Sequence, residues 1–141
     1  TLAALHALAA ETAATHISAE QIEQLKGLNA DFAAAIKQGQ PYQAMELDEQ
    51  FHNLIVDASD NAYVASFSAS LQIHIRRFKY VFLAQPVSAT AASVEEHTRI
   101  IEAFEKKDTA LAASVMRQNL LRPMNELYAF IQNHSEGDDS K

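Results

Sequence analysis

The sequence predicts an all-α protein, and three observations carry that prediction. Alanine is abundant while glycine and proline number only three each, so helix formers dominate and helix breakers are scarce. Apolar residues recur at helical spacing through most of the chain, and no run alternates apolar with polar residues as a half-buried strand would. A length of 141 residues with 48% apolar content suits one domain with a sizeable core and excludes wholesale disorder.

Six helices are expected in order. Thr1 to about Thr15 repeats Leu2, Leu5 and Ala9, with Ala13 beyond, and its small residues permit close helix packing. This segment begins without a cap, which suggests a piece of a longer chain. Ser18 and Gln21 form a capping-box pattern ahead of a second helix carrying Ile22, Leu25, Leu28, Phe32 and Ile36, which ends near Gly39. Pro41 suits the first turn of a third helix, which holds Leu47, Phe51, Leu54, Ile55 and Ala58 on its apolar side and fades at Ser59-Asp60.

Asp60 or Asn61 can cap a fourth helix from Ala62 to about Ala84. Its stripe of Val64, Phe67, Leu71, Ile75, Phe78 and Phe82, widened by Tyr63, Ile73 and Val81, predicts burial on more than one side or a subunit interface. Gln85 to Thr90, with Pro86, reads as a connector. A fifth helix follows with Val94, His97, Ile101 and Phe104 on one face. Asp108 or Thr109 caps the last, where Pro123 removes the helical partner of the Asn119 carbonyl and predicts a bend.

Composition bounds the function. The absence of cysteine removes disulfides and thiolate metal sites, leaving His, Asp and Glu as the strong ligands. No apolar run is long enough to span a membrane and no signal peptide is evident, so the expectation is a cytoplasmic protein without membrane contact. A formal charge of −7 argues against this segment gripping a phosphate backbone by itself.

Asp48 and His52 stand one helical turn apart, on a face bordering the apolar stripe. A carboxylate and an imidazole at the edge of a core need partners, because burying them alone costs about several kcal/mol. A hydrogen bond between them, a metal ion and a proton-transfer pair are all open. His97, within an apolar stripe, and Asn119, beside the proline, are the other polar residues at core positions. Asp48 with two histidines suits zinc, nickel, iron or manganese. On the fourth helix, Arg76 and Arg77 point about 100° apart. Arg77 shares a side with Ile73 and Val81 and is expected to face inward, where a guanidinium can hold a carboxylate. His74 and Arg76 join it as candidate ligand contacts.

These pieces, in order, resemble a known family. Asp48-x-x-Phe51-His52, then Ala58-Ser59-Asp60-Asn61-Ala62-Tyr63, then Glu96-His97-x-x-Ile100-Ile101-x-Ala103 with Asp108 and Ala112 are similar to the FCD domain, as is Leu8-Ala9-Ala10 in the first helix. This is the effector-binding domain of FadR-subfamily GntR transcription regulators. The resemblance implies an antiparallel bundle of about six helices with a central ligand or metal cavity, and a homodimer. It also implies a divalent metal (Zn, Ni or Mn) held by one Asp and three His, with a small organic acid bound beside or on it. The Asp and first two His correspond to Asp48, His52 and His97. The usual third His falls at Asn119, a poorer ligand, which predicts weak metal binding.

The expected division is residues 1–134 as the ligand-binding and dimerisation domain and 135–141 as a flexible acidic tail. DNA would be contacted only through a winged-helix domain absent from this chain. Two rival readings remain. Asp48, His52 and His97 could form a two-His-one-carboxylate enzyme centre, or the bundle could be purely structural with a satisfied polar core.

Overall fold

A computed structural model describes residues 1–82 and 91–135. Six helices are found among them: α1 (Leu2–His16), α2 (Ala19–Lys37), α3 (Pro41–Ala58), α4 (Ala62–Phe82), α5 (Ala91–Glu105) and α6 (Thr109–Ser135). The expected connector at Gln85–Thr90 and nearly all of the expected tail lie outside the described residues.

The punctuation follows the sequence signals. Ser18 and Gln21 make both halves of the capping box at the start of α2, and Pro41 occupies the first turn of α3. The carboxamide of Asn61 accepts from the backbone N–H groups of Tyr63 and Val64, and Asp108 accepts from Leu111. Gly39 ends α2 at φ 65°, and the N–H of Gln40 returns to the carbonyl of Ala35. The same arrangement closes α5 with Lys107 at φ 53°, where glycine would be the unstrained residue. Pro123 lies within α6, which continues past it.

α1 is the hub. It packs most extensively on α6 and also touches α3, α4 and α5, while α2 lies against α3 and α5. Alanine makes this possible, because Ala9, Ala10, Ala13 and Ala14 are all buried and let neighbouring backbones approach. The main core joins Ala10, Ala13 and Ala14 to Phe51 and Ile55 of α3, Ile100 and Phe104 of α5, and Val115 and Met116 of α6. At about 25 cal/mol per Å² of buried apolar surface, this shared centre is the main favourable term holding the helices together.

α4 departs from its predicted stripe. Val64 is buried against Ala9 and Val56, but Tyr63, Phe67 and Ile73 are 78%, 59% and 60% exposed. The inward line of α4 runs through Val64 and Ser68, because among the described residues α4 is covered only by α1 and a short stretch of α3.

Candidate metal centre

Asp48 and His52 project from α3 because their spacing stacks them on one face, and α5 brings His97 against them. The Oδ1 atom of Asp48 lies 2.9 Å from Nε2 of His97 and 3.5 Å from Nε2 of His52. His97 is fully buried and His52 2% exposed, whereas the Asp48 side chain keeps 21% exposure and marks the solvent-facing edge. Neither Nε2 atom has an aligned hydrogen-bond partner.

The tautomer of His97 follows from Asn29 on α2. The Asn29 amide nitrogen donates to the carbonyl of Val94 and the hydroxyl of Thr98, which turns its oxygen toward Nδ1 of His97 at 3.1 Å. Because that oxygen can only accept, Nδ1 carries the proton and Nε2 of the neutral ring is a bare lone pair. Phe51 stacks on the ring at 4.0 Å and Phe32 flanks it at 4.9 Å, so the lone pair is held in one direction. Burial pushes the Asp48 carboxyl up, but the charges and close contacts of His52 and then His97 outweigh it and hold the group well below the usual carboxylate range.

A carboxylate oxygen and two imidazole nitrogens therefore converge. All three ligand atoms fall within 4.8 Å of one another. Neighbouring ligands around an ion at about 2.1 Å lie roughly 3.0–3.4 Å apart, close to the separations of Asp48 from the two rings. The donor set fits a divalent transition metal.

Asn119 belongs to a different arrangement. Its amide nitrogen donates to Oε1 of Glu96 at 3.1 Å, joining a buried α5–α6 cluster centred on Arg122. Arg122 contacts Glu96 through Nε and Nη2, Ser93 through Nη2 at 2.7 Å, and Glu126 through Nη1. Asn119 is thus tied through Glu96, the residue before His97, leaving only its carbonyl oxygen for a further role.

The expectation that Arg77 faces inward is corrected. Arg77 is exposed, as are Arg76 and His74. Successive helical residues turn by about 100°, so Arg77 falls on the side of α4 opposite the buried Ser68. Arg76 lies near Glu46 and Glu49 on the surface of α3.

Sequence reasoning missed Asn29, His6, Glu96 and Arg122. Asn29 and His6 both lie on apolar stripes identified in the sequence, and a polar residue within such a stripe was the available signal.

With fold and site in hand, the class is an all-α bundle holding a buried carboxylate–imidazole cluster between its third and fifth helices. The FCD domain family model matches residues 1–122, and the chain belongs to that family. Among solved structures it is similar to Streptococcus agalactiae GntR, with a TM-score of 0.68 and 23% identity over 86% of this chain. It is also similar to E. coli McbR/YncC, with a TM-score of 0.75 and 15% identity over 86% of this chain. At these identities the likeness establishes the shared fold. The chain spans 56% and 63% of the lengths of those two proteins. No curated protein matches it.

Proposed function

We propose that this chain is the effector-sensing domain of a GntR-type transcription regulator, binding a small carboxylate through a divalent metal at Asp48, His52 and His97. The observation that carries the metal assignment is the convergence of two buried Nε2 atoms lacking hydrogen bonds on one carboxylate. A bound divalent ion would supply positive charge and open coordination positions for an anionic ligand. Asp48 lends negative charge at the edge that remains accessible, and the two imidazoles provide neutral donors from the core. Asn29 keeps His97 in the ligating tautomer. The Asn119 carbonyl oxygen is a candidate weak fourth donor, or an acceptor for a bound water.

In this reading the α4 cations do not clamp the effector, and the metal takes that role. The domain acts as a homodimer, and effector binding alters how it presents DNA-binding domains carried elsewhere in the regulator. The open apolar face of α4, with Tyr63 and Phe67, supports the pairing.

Thermal melting with nickel or zinc, with and without a panel of small carboxylic acids, tests the sensor. Metal at about a hundred times its dissociation constant should stabilise the fold by about 2.7 kcal/mol, a shift of roughly 5–10 °C for a domain of this size. An acid should add a further shift only when metal is present, and be recovered unchanged after incubation. Identical melting of the parent and His97→Ala in metal would refute the site. Metal-dependent consumption of the acid would instead favour an enzyme.

A further inference from the structure

The imidazole of His6, on α1, is 1% exposed and places its Nδ1 3.1 Å from Nδ1 of His52. The two rings stack at 5.1 Å with 28° between their planes. Two Nδ1 atoms at this distance share one proton, so one neutral ring donates and the other accepts. Were His6 the donor, His52 would carry its proton on Nε2, facing the Asp48 carboxylate at 3.5 Å, and would offer a metal no lone pair there. An ion held by Nε2 of His52 requires the opposite assignment, in which Nδ1 of His52 donates to Nδ1 of His6 and the lone pair of Nε2 is left for the metal.

We infer that His6 is a positioning residue: by accepting the Nδ1 proton of His52, it fixes that ring in the metal-ligating tautomer. His6 does not join the three-donor cluster and acts through His52. Its role parallels that of Asn29 behind His97, so each imidazole donor is set from behind by a different helix, α1 for His52 and α2 for His97. The inference rests on the metal reading at Asp48, His52 and His97.

Long-range proton–nitrogen correlation spectra of the zinc-loaded chain locate each imidazole proton. The expected result is His52 protonated on Nδ1. A zinc-loaded chain whose His52 carries its proton on Nε2 overturns the inference, and this measurement requires no variant to fold. Nickel titrations provide the second arm. His6→Leu removes the acceptor and should weaken binding about 10–100-fold, whereas His6→Asn, with its oxygen near the position of Nδ1, should stay within about threefold of the parent. Nickel bound equally tightly by the parent and a folded His6→Leu also overturns it. A parent that binds neither nickel nor zinc defeats the metal reading on which the inference rests.

Discussion

At His97 the chemistry turns on one amide. Asn29 accepts from Nδ1 and so holds Nε2 toward Asp48 and the candidate metal position. Replacing it with leucine should weaken nickel binding about 10–100-fold and strand a buried N–H at a cost of about 1–3 kcal/mol. Nickel calorimetry and urea unfolding would check the two effects separately. Asp48 gives a pH signature. Its folded-state carboxyl is held well below the usual range, so its contribution to stability is complete above the ordinary carboxylate pKa of about 3.9 and disappears as pH falls through the lower folded value. In the metal-free chain, Asp48→Asn should therefore destabilise more at about pH 5 than at about pH 2. A difference from the parent that grows with acid would contradict this. Asp48, His52 and His97 were legible in sequence because one-turn spacing and position on an apolar stripe survive in one dimension. His6 and Asn29 were harder to assign, because their roles depend on which ring atom each partner turns toward them.

At the level of helices, local chemistry and packing make separate demands. A Cβ placed on Gly27, inside α2, meets nothing within 4 Å, so Gly27→Ala should stabilise the fold by about 0.5–1 kcal/mol in urea unfolding. Arg122 ties α5 to α6 through a buried carboxylate, and its side chain is only 18% exposed. Arg122→Leu would leave Glu96 buried without its cation and should cost about 3–5 kcal/mol, somewhat less where water still reaches the site. An unfolding midpoint unchanged by that substitution would show that the pair contributes nothing net. The boundaries of these helices were readable because Ser18, Pro41, Asn61 and Asp108 act on their immediate neighbours. The facing of α4 was not, because its apolar residues surround too much of the helix to specify which side α1 would cover. Arg77 was consequently assigned to the wrong side.

For the whole molecule, the exposed face of α4 predicts self-association. Phe67→Glu should lower the mass seen by light scattering toward that of one chain, with little effect on the melting of the monomer, since Phe67 is 59% exposed. A parent that is monomeric at tens of micromolar would remove the basis for the dimer. The central place of α1 also bears on the order in which the chain can be made. Its broadest partner is α6, about a hundred residues downstream, which at roughly 5–20 residues per second leaves it waiting several seconds during synthesis. Through that interval Ala10 and Ala13 lack the Val115 and Met116 side of their core. The first of these six helices to leave the ribosome is therefore among the last to be secured, and a chain truncated before α6 should offer that helix to chaperones and proteases.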